Sequence, residues 1–154
     1  MVNHSIIRRA REEDINRLLE LYDELVITHS EIELSQKRTY EDHKRSFTQI
    51  NNITGHNLLV IESNGKVVGT ATLLIIPSLS HNGCPWAVIE HLIIDLNYQG
   101  QHLGKRLMQH IINEARDAGC YKIILSSNKK RKAAHEFYQA LGFKASSEGF
   151  SLYF

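Results

Sequence analysis

Hydrophobic residues recur along the chain with two different periods, and this alternation predicts a mixed α/β fold. Ser5–Arg9 (SIIRR) is short and β-branched, as is typical of a strand. From Ile15 to Val26 the apolar residues lie three and four positions apart, which indicates an amphipathic helix. A weaker pattern with the same period predicts a second helix over residues 39–50.

The clearest hairpin lies in the middle of the chain. Residues 57–63 (NLLVIES) and Lys66–Ile76 (KVVGTATLLII) both have the composition of strands, and Asn64-Gly65 joins them. An Asn-Gly pair readily adopts the positive φ angles that a type I′ turn requires. A loop over residues 77–85 follows, and Trp86–Ile94 (WAVIEHLII) is predicted to be a central strand.

The second half of the chain is predicted to continue with two strand-helix-strand crossovers and a closing hairpin. Apolar spacing indicates two helices, each followed by a glycine that can end it, Gly119 and Gly142. The predicted segments are a helix at 102–118, a buried strand at 121–125, a helix at 132–141, and a hairpin formed by 143–145 and 149–154.

Composition limits the protein classes that remain. The 154 residues are 42% hydrophobic and 23% charged, which is typical of a soluble protein and predicts one domain over residues 1–154. No apolar run approaches the roughly 20 residues that cross a bilayer, and the first residues turn charged before a signal-peptide core could form. The two cysteines, Cys84 and Cys120, are too few for a disulfide framework, so we expect a cytoplasmic protein.

The net charge of +1 predicts no general attraction to nucleic acid or to an anionic membrane, so any anion site must be local. The sequence YQGQHLGKRL, at residues 98–107, is a candidate. It differs from a Walker A loop, because three residues separate Gly100 and Gly104, and Arg106 stands where a magnesium-binding hydroxyl is needed. The free N-H groups of a helix start suit an anion, although an ordinary tight turn would look the same.

The loop resembles motif A of the GNAT superfamily of N-acetyltransferases, Q/R-x-x-G-x-G/A, which grips the pyrophosphate of acetyl-CoA. Gln99 and Gly104 match its ends, and His102 replaces its middle glycine. Three further segments, IIRRAREEDI, KVVGTATL and AAHEFYQALGF, resemble other family motifs in the right order. The resemblance implies an α/β GNAT fold, with a mixed, mostly antiparallel sheet of six to seven strands splayed between strands 4 and 5, and about four helices.

The resemblance also implies site residues. Tyr138 matches the general acid that protonates the departing thiolate, although a half-buried core aromatic is the alternative. Backbone groups of Leu92, Ile93 and Ile94 would pair with the pantetheine arm and polarise the thioester carbonyl. The remaining residues expected to bind the acetyl-CoA cosubstrate are Gln99, Gly100, Gln101, His102, Leu103, Gly104, Lys105, Asn128 and Ala134, together with Tyr138 itself.

Glu90 is the candidate general base, because a carboxylate within the apolar run AVIEHLII must face a cavity, a partner or water. It could instead hold a neighbouring side chain. His91 would point to the opposite face of a regular strand, and a hydrogen-bonded structural histidine is the preferred interpretation. No histidine pair has metal-binding helical spacing, so no metal site is predicted, although some resembling enzymes use a divalent ion.

Local likeness to glucosamine-6-phosphate and aminoalkylphosphonate N-acetyltransferases suggests a small primary amine bearing an anionic group as the acceptor. A peptide or protein N-acetyltransferase and a non-catalytic acyl-CoA-binding module are the alternatives. A groove open along its length beside Glu90 would favour a peptide or protein N-acetyltransferase. A cap formed by residues 27–39 would favour an enzyme that acts on a small amine. The basic run at 128–132 could bind a phosphate group or could be a solvated start of a helix. The apolar C-terminal sequence FSLYF could complete the sheet of its own chain or pair with a second copy in a homodimer.

Overall fold

The computed structural model describes residues 4–25 and 30–154, which form one mixed sheet with helices on both faces. The five strands are hydrogen-bonded in chain order, antiparallel except for the last pair. They are β1 (Ser5–Arg9), β2 (His56–Ser63), β3 (Lys66–Ile76), β4 (Trp86–Ile94) and β5 (Ile123–Leu125). The helices are α1 (Ile15–Asp23), α2 (Glu31–Ser35), α3 (Tyr40–Asn52), α4 (Leu103–Asp117) and α5 (Lys132–Ala140).

The β2-β3 hairpin forms where it was predicted. Asn64 and Gly65 have φ angles of 50° and 78°, as a type I′ turn requires. Successive residues of a strand face opposite sides of the sheet, and the apolar runs of β2 and β3 therefore fill two separate cores. These buried runs carry few polar residues because both faces of the sheet are covered.

The two cores place different helices on the two faces. Leu59 and Ile61 of β2 pack in one cluster with Leu107 and Ile111 of α4. Their neighbours Leu58 and Val60 pack in the other cluster, with residues of α1 and α3. The parallel crossover from β4 through α4 to β5 is as predicted, and Gly119, with φ of 77°, follows the end of α4.

The predicted closing hairpin is wrong, so the sheet has five strands in place of the six to seven expected. The N-H groups of Leu141 and Phe143 both donate to the Tyr138 carbonyl, at 3.1 Å, and Phe143 packs against the Tyr138 ring. The residues that were to begin a strand are thus used in the C-terminal cap of α5. The last residue contacts another element, because the Ile32 N-H donates to the Phe154 carbonyl at 3.2 Å.

Smaller differences concern helix number and boundaries. α2 adds a fifth helix to the four expected and lies between the two predicted N-terminal helices, where no helix was expected. Its capping box, in which Ser30 accepts from the Glu33 N-H at 3.1 Å, explains the start of so short a helix. Val26, predicted to lie in the first helix, falls outside the described residues. Among the helices described, none has the length and apolar character that crossing a membrane requires.

Candidate active site

A bulge in β4 shapes the centre of the site. Thr72 of β3 pairs with Glu90 and Thr70 pairs with Ile93, so one β3 residue lies opposite two β4 residues, His91 and Leu92. His91 takes a φ of 53°, in the left-handed region. The alternation of side chains is therefore interrupted, and Glu90 and His91 line the same cavity.

The splay of the sheet begins just before this bulge. The parallel ladder between β4 and β5 comprises three residue pairs and ends at Ile89 and Leu125. The residues of β4 from Glu90 to Ile94 extend beyond the end of that ladder. Two cavities lie against this part of the strand, and Leu92, Arg131 and Tyr138 line both of them.

The first cavity, which we call the cofactor cavity, has a volume of about 740 Å³. Its basic lining comes from Lys105 of α4 and from the run 130–132 before and in α5. An elongated molecule with several phosphates fits this combination of apolar floor and cationic rim. The other lining residues are Leu92, Ile94, Tyr98, Gln99, Gly100, His102, Leu103, Gly104, Ala133, Ala134, Phe137 and Tyr138.

The cofactor loop, residues 95–102, leads from β4 into α4. Gly100 and His102 have φ angles of 76° and 60°, and His102 occupies the N-cap position of the 15-residue α4. This geometry brings the first N-H groups of a long helix to the wall of the cavity, where they can bind an anion. Arg106 points elsewhere, since its guanidinium contacts the Ser5 hydroxyl and carbonyl.

Gly104 leaves space in the cofactor cavity, because it lines the cavity without a side chain. A β-carbon there would lie 3.5 Å from a side-chain carbon of Ile94 and 3.6 Å from the ring of Phe137. Those are ordinary contact distances, so a methyl group fits, whereas a branched side chain would project into the cavity. Backbone can thus approach a bound pyrophosphate closely at this position.

The second cavity, which we call the acceptor cavity, has a volume of about 480 Å³. Its charged lining is Glu33, Glu90 and Arg131, with His91 beside them. Helix α2 and the C-terminal segment both contribute, through Glu33 and Tyr153. The remaining residues are Tyr22, Leu25, Ile89, Leu92, Leu125, Ser126, Ser127, Asn128 and Tyr138.

Tyr138 lies where the two cavities meet and is held firmly. It is 8% exposed, and its ring makes edge contacts with Phe137 and Phe143 at centroid distances of 5.5 and 6.2 Å. Burial raises the pKa of Tyr138 above its usual value; Arg131 opposes this rise and Glu90 adds to it. The phenol is therefore protonated at neutral pH and able to donate a proton.

Comparison with known proteins identifies the family. A sequence model of the Acetyltransferase (GNAT) family matches residues 18–143. The chain belongs to the GNAT acetyltransferase family. The prediction of an N-acetyltransferase of GNAT fold is thereby confirmed, and the family uses acetyl-CoA.

Three sequence relatives show which GNAT enzymes are similar. A glucosamine 6-phosphate N-acetyltransferase of Trypanosoma brucei brucei is 38% identical over 84 residues, 54% of this chain and 55% of that protein. An L-amino acid N-acyltransferase of Escherichia coli (strain K12) is 27% identical over 142 residues, 92% of this chain and 81% of that protein. An aminoalkylphosphonate N-acetyltransferase of Salmonella typhimurium is 38% identical over 84 residues, 54% of this chain and 53% of that protein.

Solved GNAT structures agree with the fold described above. The crystal structure of glucosamine-6-phosphate N-acetyltransferase from Arabidopsis thaliana has a TM-score of 0.81 and 28% identity, covering 98% of this chain and 99% of that one. An aminoglycoside N-acetyltransferase solved in complex with CoA has a TM-score of 0.77 and 17% identity, covering 99% of this chain and 95% of that one. This second likeness concerns the fold alone.

The structure brings most of the predicted GNAT site residues together. Tyr138 lines both cavities and Glu90 lines the acceptor cavity. Of the predicted cofactor residues, ten line the cofactor cavity: Leu92, Ile94, Gln99, Gly100, His102, Leu103, Gly104, Lys105, Ala134 and Tyr138. The other three lie elsewhere, since Ile93 is buried in the core on the α1 side, Gln101 is exposed, and Asn128 lines the acceptor cavity.

Sequence reasoning misplaced His91, which was expected on the face opposite Glu90. The bulge puts it in the acceptor cavity, where its ring lies 5.4 Å from that of Tyr22. Tyr22, Glu33 and Tyr153 also went unrecognised as cavity residues. Their sequence neighbourhoods carry no chemical motif, because each reaches the cavity through the packing of a separate element.

No metal site is evident in residues 4–25 and 30–154, where no three His, Cys, Asp or Glu side chains come together as a metal ion would require. Ser127 lines the acceptor cavity, and its hydroxyl oxygen is buried without a hydrogen-bond partner among the described residues. A buried hydroxyl of this kind is available to a bound molecule. It adds a polar contact point to the acceptor cavity.

Proposed function

We propose that the protein transfers the acetyl group of acetyl-CoA directly to the primary amine of a small metabolite that carries an anionic group. The observation that carries this proposal is the meeting of two separate cavities at Leu92, Arg131 and Tyr138. Cosubstrate and acceptor can bind at once, with their reacting atoms side by side. A ternary complex then makes the transfer effectively intramolecular.

The residues at the junction suit the chemistry of the transfer. In the proposed step the amine nitrogen bonds to the thioester carbonyl carbon, the carbon-sulfur bond breaks, and Tyr138 donates its phenolic proton to the thiolate. The second proton that the nitrogen loses on becoming an amide passes through water and restores the Tyr138 phenol. Backbone N-H groups of Leu92 and Ile94, which both line the cofactor cavity, would stabilise the negative charge that develops on the carbonyl oxygen. Glu90, in the wall of the acceptor cavity, would take the proton of the ammonium group directly or through water.

The charges of the acceptor cavity support a substrate with both an ammonium and an anionic group. Glu90 suits the ammonium, Arg131 suits a single phosphate, phosphonate or carboxylate, and the Ser127 hydroxyl can contact an acceptor oxygen. Two carboxylates face one guanidinium across this lining, so a densely anionic acceptor fits poorly. The named relatives act on a phosphorylated amino sugar, an amino acid and an aminophosphonate, which share this combination.

Two features favour this proposal over the alternatives. Glu33 of α2 and Tyr153 of the C-terminal segment both line the acceptor cavity, and the Ile32-Phe154 hydrogen bond joins these two segments. An extended peptide needs a groove that is open along its length, so walls contributed by both segments favour a small molecule over a protein N-terminus. A non-catalytic acyl-CoA-binding module would need no buried, protonated Tyr138 beside a carboxylate-lined acceptor cavity.

The test combines cosubstrate binding with acceptor screening. CoA should raise the melting temperature, by an amount equivalent to about 2.7 kcal/mol at a hundred times its Kd. Thiol release from acetyl-CoA is then measured with phosphorylated amino sugars, amino acids and aminophosphonates, against polyamines and peptides. We expect turnover in the first group and at least a hundredfold loss in Glu90→Gln. Turnover only of peptides or polyamines would contradict the proposal.

Three broader expectations accompany this proposal. Residues 1–154 would act as one catalytic domain, and the free thiols Cys84 and Cys120 suit a reducing compartment such as the cytoplasm. The C-terminal apolar residues are exposed in this chain, with Phe150 at 92% and Leu152 at 79%. They do not extend their own sheet, and such exposed apolar side chains are available to pair with a second copy, so we expect a homodimer.

A further inference from the structure

Asp95 stands at the point where β4 ends and the cofactor loop begins. It is 4% exposed, and its backbone continues the sheet by donating to the Val68 carbonyl at 2.9 Å. One carboxylate oxygen accepts from the Asn97 backbone N-H at 2.9 Å and from the Asn97 side-chain amide at 3.1 Å. The Tyr98 N-H donates to the Asp95 carbonyl at 2.8 Å. Asp95 therefore organises the first turn of the loop.

The other carboxylate oxygen of Asp95 forms an ion pair with Arg17 of α1. The Arg17 guanidinium also donates to the Val67 carbonyl at 3.0 Å and to the exposed Glu20 at 2.8 Å. Two of these contacts join Arg17 to the sheet, through Val67, and to the loop, through Asp95, and the third, with Glu20, is on the solvent side. The Asp95 side chain is 6% exposed and that of Arg17 22%, so the pair is only weakly screened by water.

The residues directly after this contact form the wall of the cofactor cavity. Tyr98, Gln99 and Gly100 line it, and the Gln99 side-chain amide donates to the Ile94 carbonyl at 3.0 Å. The loop is thus tied down at its base by Asp95 and at its tip by Gln99. Tyr22, which lines the acceptor cavity, lies on the same helix as Arg17.

We propose that the Arg17-Asp95 ion pair is a positioning device that holds the cofactor loop in the conformation that binds the pyrophosphate of acetyl-CoA. This inference rests on the proposed function. Arg17 lies on α1, far along the chain from the loop, and its contact with the loop is the Asp95 carboxylate. The binding of a pyrophosphate by backbone N-H groups depends on the position of that backbone, and a misplacement of about 1 Å in a site can lower a reaction rate by up to about a hundredfold.

The two partners should respond differently to substitution. Asp95→Asn keeps the size of the side chain and an oxygen for the Asn97 N-H, and it frees Arg17 to reach water. Arg17→Met leaves a buried carboxylate without its counter-charge, which is the more costly change for folding. Glu20→Gln is the matched control, because it removes the negative charge of the solvent-side partner of the same guanidinium and leaves the loop untouched.

The experiment measures CoA affinity by calorimetry and amide exchange by mass spectrometry in the ligand-free protein. We expect Asp95→Asn and Arg17→Met each to weaken CoA binding about tenfold, with faster exchange at residues 96–104 and unchanged exchange in the β2-β3 hairpin. The double variant should bind no more weakly than the worse single variant, since both break one contact. Glu20→Gln should match wild type.

Two outcomes separate this inference from the proposed function. If wild type binds CoA and both variants bind it equally well, with unchanged loop exchange and only a lower melting temperature, the pair is structural and the inference is wrong. If wild type does not bind CoA, the proposed function fails. Exchange at residues 96–104 of the ligand-free variants then still decides whether the pair orders the loop.

Discussion

At the scale of single residues, His102 shows how a departure from a family motif is accommodated. It takes a left-handed conformation, with φ of 60° and ψ of 9°, where the motif has glycine. Such a conformation costs an L-residue roughly 1–2 kcal/mol, and histidine is among the residues found there more often than most. The backbone N-H that would face an anion is kept, so the motif survives at a cost in stability.

Substitutions at His102 and Gly104 should therefore differ in their effect on CoA binding. We expect His102→Gly to retain CoA binding and to raise the free energy of unfolding by about 0.5–1 kcal/mol, the relieved strain less the added entropy of the unfolded chain. Gly104→Val should abolish CoA binding, because its methyl groups enter the cofactor cavity. Gly104→Ala is the control for helix content. Equal loss of affinity in His102→Gly and Gly104→Val would show that the imidazole itself contacts the cosubstrate.

Tyr138 leads to a prediction about rate and pH. Burial, and to a smaller extent Glu90, raises the pKa of Tyr138 against the opposing effect of Arg131, so the phenol should keep its proton at neutral pH. Tyr138→Phe should lower kcat about a hundredfold or more and leave CoA affinity unchanged. Wild-type kcat should show no decline due to loss of this proton between pH 7 and 9. If Tyr138→Phe turns over normally, the phenol is only a packing residue.

At the scale of elements, the join between β1 and α1 depends on one buried carboxylate. Asp14 accepts two bonds from the Arg8 guanidinium, at 2.7 and 3.0 Å, and one from the Arg11 N-H at 2.7 Å. Burial works to raise the pKa of Asp14, but the bonds from Arg8 and Arg11 outweigh it, and the pKa lies below its usual value. This contact sets the angle at which α1, and with it Arg17 and Tyr22, enters the fold.

The depressed pKa of Asp14 predicts acid sensitivity. Its contribution to stability is fully present above the unfolded-state pKa of about 3.9 and is lost as pH falls through the lower folded-state value. We expect Asp14→Asn to lower the free energy of unfolding by roughly 3 kcal/mol at pH 7, and by less at pH 3. Urea denaturation at the two pH values measures both quantities. Equal losses at pH 7 and pH 3 would contradict the assignment.

At the scale of the whole molecule, the exposed C-terminal residues predict association. We expect light scattering to show a homodimer. Charged substitutions at Phe150 and Leu152, which are 92% and 79% exposed, should shift it toward monomer. Leu79→Lys is the matched control, because Leu79 is equally exposed but stands apart in the 77–85 loop. A wild-type monomer at micromolar concentration, or equal dissociation in the Leu79 variant, would contradict this prediction.

The sequence by itself determined the family and most of the elements, because their signals are local. The spacing of apolar residues in α1 and α4, and the Asn64-Gly65 turn, depend on neighbours within a few positions. Gln99, Gly104 and Tyr138 could likewise be predicted to belong to the site, since a motif of fixed spacing marks each. The fold class followed from the order of these elements.

Only the tertiary structure decided which side chains line the acceptor cavity. The bulge at His91 arises from the register of β4 against β3, and register is a property of two distant segments. Glu33 and Tyr153 come together because α2 and the chain end meet, and Arg17 reaches Asp95 across 78 positions. The prediction of a closing hairpin was wrong for the same reason. Phe143 contacts Tyr138 as part of the C-terminal cap of α5, and no local pattern shows that the cap would compete with a strand for this residue.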